Sequence, residues 1–404
     1  MTDPSSRVRI SGPLKPYARG YAAQLLGQGY TQISAGSQLR LMAHLSRWLK
    51  GEGMGAEALT PSVVEKFLAA RRAAGYVDFR SSRALGPLLW YLRELGAVPQ
   101  VPPDVVIAPE EVLLERYRHY LTLERGVVAS TARYYIHLVR PFLVTRVTNG
   151  GIDLEHLAAG DVSAFVLAEC RRRPAPSAKN LVTALRSLLA FLHIEGLTDR
   201  SLTAAVPAVA DWRLSGLPRA LEPDQVRRLL LSCDRRTVAG SRDFAILTLF
   251  SRLGMRSCEV AALELEDLDW RAGEILVRGK GDRKERLPLP ADVGAALAAY
   301  LRNGRPEGVT CRRVFLSVRA PLRPMTSSSV KQAVEAAGLR TGLGRTTPHR
   351  LRHTAATEML RAGAPLIEIG QVLRHRRLQT TAIYAKTDRE ALRLLARPWP
   401  GGGA

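Results

Sequence analysis

One stretch of this chain, Glu274–Leu289, reads as paired strands, and almost everything else reads as helix. The segments EILVR (274–278) and ERLPL (285–289) flank Gly279-Lys280-Gly281-Asp282, where glycines on both sides of a lysine suit a hairpin turn. A further short strand is expected at Val314–Ser317. Elsewhere apolar residues recur at the helical spacing of three to four positions. The expected class is mainly α with a small β-hairpin sheet.

The helical segments fall into blocks. In the first, Ser37–Leu49 places Leu39, Met42, Leu45, Trp48 and Leu49 on one face. Thr60-Pro61 supplies a cap and an opening proline for Ser62–Arg72, and Ser81–Leu95 forms another helix. Val98-Pro99-Gln100-Val101-Pro102-Pro103 then interrupts the pattern as a linker. The next block holds Tyr117–Leu123, Ser130–Val144, Asp161–Cys170 and Ser177–Ile194, with breaks at Gly126, Gly150-Gly151 and Pro174. After the join Ala204–Arg219, helices are expected from Leu221 to about Cys233, over Arg242–Leu253 and from about Arg256, then at Asp292–Arg302 and Ser328–Gly338. The expected organisation is an N-terminal helical domain at 1–105, a second helical domain at 106–205, a linker at 206–219 and an α+β domain at 220–404. The first two blocks echo each other. Leu59 and Phe67 are spaced as Leu157 and Phe165 are, and LLWYLRELG (88–96) resembles LLAFLHIEG (188–196). Either the first block is a second copy of the next, or two sets of amphipathic helices are alike by chance.

Charge bears on partners rather than on fold. With 59 Lys and Arg against 37 Asp and Glu the chain carries +22, which points to a polyanion such as nucleic acid. Arg133, Arg140, Lys179 and Arg186 lie between apolar positions of the second block, where they are expected to meet a DNA backbone. Cys170, Cys233, Cys258 and Cys311 are far apart and include no CxxC pair, so neither a zinc site nor a disulfide framework is expected. The opening MTDPSSRVRISGP has no apolar leader pattern, and no run approaches the roughly 18 apolar residues of a membrane span. A soluble, cytoplasmic, nucleoid-associated protein is expected, with no membrane partner.

The chemistry-bearing residues lie late in the chain. Thr347-Pro348 opens a helix on which His349 and Arg352, three apart, share a face. Gly363 ends it, Pro365 opens another to about Arg374, His375 follows, and Tyr384 stands nine positions further on. Arg256 sits after Gly254 at a helix start, suited to a phosphate oxygen, with Glu259 one turn on to orient it. Lys280 is at the hairpin tip. His353, flanked by Leu351, Ala355 and Ala356, is expected to be structural. Taken singly, each of these residues reads first as an exposed ion pair, a solubilising turn residue or a packed side chain. Their order carries more.

Leu253-Gly254-Met255-Arg256-Ser257-Cys258-Glu259-Val260 resembles the first arginine box of the tyrosine recombinases, the phage-integrase family. Val277–Arg286 looks like their lysine hairpin, and His349-Arg350-Leu351-Arg352-His353 is similar to their HxLRH box. Leu373-Arg374-His375 through Thr380-Thr381-Ala382-Ile383-Tyr384 resembles their closing segment, with Arg374 in place of a glycine and Arg376-Arg377 in place of small polar residues. The resemblance covers roughly residues 220–390, and the block at about 110–200 looks like their SAM-like core-binding domain. The N-terminal hundred residues are an addition to that two-domain layout.

The resemblance implies a site-specific recombinase acting in DNA integration or excision of a mobile element. Tyr384 would be the nucleophile, forming a 3′-phosphotyrosyl link, while Arg256 and Arg352 grip the phosphate. Lys280 would be the general acid, His349 would assist the tyrosine proton, His375 would hydrogen-bond the phosphate, and Glu259 would support the geometry. Neither a metal nor another cofactor is implied. Double-stranded DNA at a specific site is the implied partner, held by a homotetramer or by an assembly with related recombinases, with Arg376 and Arg377 as further DNA contacts. The apolar segment Asp388–Ala396 would dock on a neighbouring protomer. A type IB topoisomerase and a DNA-binding accessory protein that has lost catalysis remain open alternatives.

Overall fold

A computed structural model of the chain describes residues 8–99, 108–148, 151–209, 220–279, 283–306, 309–375, 378–381 and 383–384. Lys280 with the rest of the hairpin tip, Arg376, Arg377, most of the proline-rich break, most of the second join and the segment 388–396 lie outside the described residues.

The first block comprises α1 (Ala18–Gly27), α2 (Gln32–Gly51), α3 (Pro61–Ala73) and α4 (Ser82–Glu94). Threonines start two of these helices. Thr31 accepts a hydrogen bond from the Ser34 N–H and Thr60 from the Val63 N–H, with Pro61 at the first helical position. The apolar stripes of α2, α3 and α4, including Leu39, Met42, Leu45, Phe67, Leu68, Leu88 and Leu92, meet in one core.

The second block comprises α5 (Pro109–His119), α6 (Ala129–Val144), the two-residue strands β1 (Val147–Thr148) and β2 (Gly151–Ile152), α7 (Ala159–Arg172) and α8 (Ala175–Ile194). Helix α5 begins well before the expected Tyr117, because Pro109 opens it and Glu110 and Glu111 favour its N-terminal turn. The β1–β2 ladder is invisible to a periodicity argument, since two residues per strand define no period. Tyr117, Phe142, Leu185 and Phe191 lie in this block's own core.

The third block contains α9 (Pro223–Leu231), α10 (Val238–Leu253), α11 (Ser257–Ala262), strands β3 (Leu268–Asp269), β4 (Glu274–Arg278) and β5 (Lys284–Pro288), then α12 (Ala291–Asn303), α13 (Ser327–Arg340), α14 (Pro348–Arg361), α15 (Leu366–Val372) and α16 (Leu378–Thr381). The expected hairpin is present as β4 and β5, with Ile275 opposite Leu287, and β3 adds a third antiparallel strand. Alternation along β4 buries Ile275 and Val277 in the same core as α10 and α12. The strand expected at 314–317 is reduced to two isolated bridges, Arg313 with Glu264 and Leu316 with Pro324. Val314, Phe315 and Leu316 are all buried, so the segment runs through the core rather than along one face of a sheet.

The chain divides into two compact units, Gln100–Arg213 and Met1–Pro99 with Leu214–Ala404. Within the larger unit the Leu322 N–H donates to the Gln28 carbonyl at 2.9 Å. Gly29 makes that approach feasible: its φ is 82°, and a Cβ there would lie 2.3 Å from Leu322 Cδ1. Among the described residues no helix is long and apolar enough to cross a membrane.

Candidate active site

Helix α10 ends at Gly254, whose φ of 54° turns the chain into α11. A side chain at 254 would collide with Leu373, 2.5 Å from an added Cβ, so glycine serves both the turn and the packing. Arg256 is the N-cap residue of α11, and its own N–H donates to Glu259 Oε2 at 2.7 Å. Its guanidinium donates to Glu259 Oε1 at 2.6 Å and to the Arg374 carbonyl at 2.8 Å. The arginine expected to face a phosphate is therefore oriented by the carboxylate one turn along.

Glu259 has a second partner 115 residues away. Arg374 Nη2 donates to Glu259 Oε2 at 2.8 Å, and its Nη1 donates to the Val372 carbonyl. Burial would raise the Glu259 carboxyl, but the Arg374 charge and the hydrogen bonds from Arg256 and Arg374 outweigh it and hold the group below its ordinary value. Arg374 stands at φ 56°, in the left-handed region that glycine occupies at least cost. The arginine thus sits where the family motif places glycine, and its side chain turns inward to a buried carboxylate.

Helix α14 starts at Thr347, which accepts from the Arg350 N–H at 3.3 Å. Its spacing brings the rings of His349 and His353 within 4.8 Å. Arg352, 3% exposed, donates Nη1 to the Gly254 carbonyl and Nη2 to the Leu373 carbonyl. It ties the end of α10 to the end of α15. Burial and the charges of Arg256 and Arg374 pull its pKa down to about 10, which still leaves it charged near neutrality.

Tyr384 is 2% exposed and packs with Ala356, Ile369 and Leu373. Its hydroxyl lies 2.9 Å from His353 Nδ1. Burial pushes the phenol up to about 12, partly offset by Arg352, so it remains protonated. Burial, His349 and Arg352 pull His353 down to about 4, so its ring is neutral. With both groups neutral the direction of this bond is set by the His353 tautomer, and in the tautomer with its proton on Nε2 the hydroxyl donates and Nδ1 accepts. His375 lies parallel to the Tyr384 ring at 6.4 Å, while its Nδ1 is 2.7 Å from Thr381 Oγ1. Burial and then the surrounding cations, Arg352 first, lower His375 to about 4 as well.

Arg256, Glu259, His349, Arg352, His375 and Tyr384 are thus brought into one locality. His353, read from sequence as structural, is the imidazole that meets the Tyr384 hydroxyl, whereas His349 meets His353. The i,i+4 spacing from His349 was the available sign, because it puts both rings on one helix face. A cleft of about 620 Å³ is lined by Arg256, Arg374, His375 and Thr381 together with Gly279 and Arg283 of the hairpin. Arg133, Arg140, Lys179 and Arg186 belong to the other compact unit. Arg133 is exposed there, Arg140 pairs with Glu111, Lys179 is half-buried, and Arg186 donates to the Val206 carbonyl at 2.8 Å. Among the described residues no three His, Cys, Asp or Glu side chains cluster as metal ligands would.

Of the histidines whose pKa is lowered, His353 and His375 give a pH dependence with a definite sign. Above their ordinary value of 6.5, His353 and His375 are neutral in both folded and unfolded chains. Between 6.5 and about 4 the unfolded chain binds protons that the folded chain refuses, so stability falls as pH drops through that window. Thermal melts of the wild type should show a midpoint declining from pH 6.5 downward, and His353→Asn should flatten part of that decline.

Comparison with known proteins adds three findings. The phage integrase family model matches residues 219–391, and the phage integrase N-terminal SAM-like domain model matches residues 114–196. The chain is 42% identical to a Sinorhizobium fredii protein named as integrase/recombinase y4rA, across 96% of this chain and 95% of that one. It is 33% identical to tyrosine recombinase XerD of Mycobacterium tuberculosis, across 69% of this chain and 94% of that protein. Among solved structures, XerH site-specific recombinase bound to palindromic difH substrate shares the fold at a TM-score of 0.57 and 18% identity, covering 73% of this chain and 98% of that one.

Proposed function

We propose that this chain, which belongs to the phage integrase family of tyrosine recombinases, cuts and rejoins double-stranded DNA at a specific site through a 3′-phosphotyrosyl link on Tyr384. The observation that carries this reading is the seat of the Tyr384 hydroxyl, 2.9 Å from a neutral imidazole whose neighbour along α14 is the buried Arg352.

In the proposed step Tyr384 Oη attacks phosphorus, an O–P bond forms and the bond from phosphorus to the 5′ oxygen breaks. The phenolic proton passes to His353 Nδ1. Lys280 protonates the departing 5′ oxygen, a role resting on its place in the sequence motif. Arg256 and Arg352 neutralise the non-bridging oxygens as negative charge grows on them. His375 hydrogen-bonds the phosphate, Glu259 holds Arg256 in place, and His349 supports the His353 ring. Attack by a partner strand's 5′-hydroxyl reverses the sequence and frees the tyrosine. Because the ester retains the energy of the broken bond, no nucleotide hydrolysis is required, and two arginines supply the charge neutralisation that a metal would otherwise provide.

The biological reading proposed with it is integration or excision of a mobile element, with two DNA duplexes held by four protomers. The solved relative named above is described with its difH substrate, which supports DNA as the partner class. The experiment uses a nicked suicide duplex drawn from sequence flanking the gene. A covalent protein–DNA adduct should form, and its phosphopeptide should map to Tyr384 by mass spectrometry. Absence of an adduct on every flanking sequence, or attachment at another residue, would overturn the proposal.

A further inference from the structure

Many buried positions in the helical segments of the first block recur in the second at nearly constant offsets. Buried Tyr21 and Leu25 of α1 correspond to buried Tyr117 and Leu121, an offset of 96. Buried Ala35, Leu41, Met42 and Leu45 of α2 correspond to Ala132, Leu138, Val139 and Phe142, an offset of 97. Leu59, Val64 and Leu68 correspond to Leu157, Val162 and Val166 at 98, and Leu85, Leu88, Leu89 and Leu92 to Leu185, Leu188, Leu189 and Leu192 at 100. The offset holds within each helical segment and changes only between them, as small insertions in loops would produce. Amphipathic helices alike by chance would share a period, but their offsets would not stay between 96 and 100 through four successive segments.

Finer details repeat too. Gly96 and Gly196 have φ of 67° and 68°. The hydrogen bonds from Gly96 to Arg93 and from Ala97 to Leu92 recur from Gly196 to His193 and from Leu197 to Leu192. The Tyr21 and Tyr91 rings meet at 5.4 Å, and their counterparts Tyr117 and Phe191 at 5.3 Å. The second block is the one matched by the SAM-like domain model.

The two copies differ in charge. Residues 108–209 hold twelve Lys and Arg against ten Asp and Glu, whereas residues 8–98 hold twelve against five. Helix α2 contains no carboxylate in its twenty residues. Its Arg40, Arg47 and Lys50 are exposed, and none is ion-paired among the described residues. Spacings of seven and three place them along one side of the helix.

We propose that residues 8–98 are a diverged second copy of the SAM-like fold and that the α2 face binds the backbone of duplex DNA. The DNA partner rests on the function proposed above. The second binding module rests on the repeat and its charge.

The test uses the full chain with Arg40→Gln, Arg47→Gln and Lys50→Gln combined, since glutamine keeps the helix while removing charge. Binding to a duplex of gene-flanking sequence is measured across a salt series. The variant should bind at least about tenfold more weakly at low salt, and its salt slope should fall by about 2.7, at roughly 0.9 per lost phosphate contact. The charge-retaining pair Arg40→Lys with Arg47→Lys should keep the wild-type slope, which separates lost charge from lost structure. A glutamine variant with wild-type affinity and slope would overturn the proposal. Should the wild type still form its covalent adduct in that case, the catalytic reading stands and only the second module is lost.

Discussion

Tyr384→Phe should lose the covalent DNA adduct entirely, with strand cleavage reduced by at least about 10⁴-fold, while binding to the same duplex changes by no more than about twofold. The expectation is sharp because phenylalanine removes one oxygen from a ring whose packing against Ala356, Ile369 and Leu373 is otherwise retained. The stability cost should be small. The lost bond to His353 is worth about 1 kcal/mol, and the neutral imidazole left behind carries no unpaired charge. A melt near wild type together with an adduct signal of zero would place the tyrosine in the chemistry rather than in the core. An adduct that persisted in the variant would show that another residue attacks phosphorus.

Glu259→Gln should be the most damaging conservative change to the fold. The carboxylate is 1% exposed and accepts hydrogen bonds from both Arg256 and Arg374. Glutamine retains its shape but leaves Arg374, itself 8% exposed, as a buried cation beside Arg352 with no opposing charge. Breaking such a pair from one side costs about 3–5 kcal/mol, or a thermal midpoint lower by on the order of 10 °C. Cleavage should fall on the order of 10²-fold through misplacement of Arg256 and of the segment that carries His375. Adding Arg374→Gly removes the stranded charge and puts glycine at a φ of 56°, so the double variant should regain part of the lost stability. A single variant that melted as the wild type does would show that the three-residue pairing contributes little.

The start of α14 was legible because capping is a local matter: Thr347 and Pro348 act on backbone groups within a turn of themselves. The hairpin was legible for the same reason, from two alternating runs around glycines. The early start of α5 and the β1–β2 ladder were not, the first depending on a charged opening turn with little apolar period, the second on strands too short to have one. The repeat proposed for the first two blocks was visible only as an echo in sequence. The register of buried residues made it specific, because burial separates positions that must stay apolar from those that merely are.

The sequence by itself determined the helices, the hairpin and the order in which the chemical residues occur, because periods, caps and turns are set by neighbours within a few positions. The tertiary structure alone decided which of those residues meet. His353 reaches the Tyr384 hydroxyl, and Arg374 closes on Glu259 across 115 residues of chain. Both contacts are made by polar groups inside a packed interior, where an unpaired charge or hydroxyl is costly and the available partner is whichever group the packing of α11, α14 and α15 brings within reach.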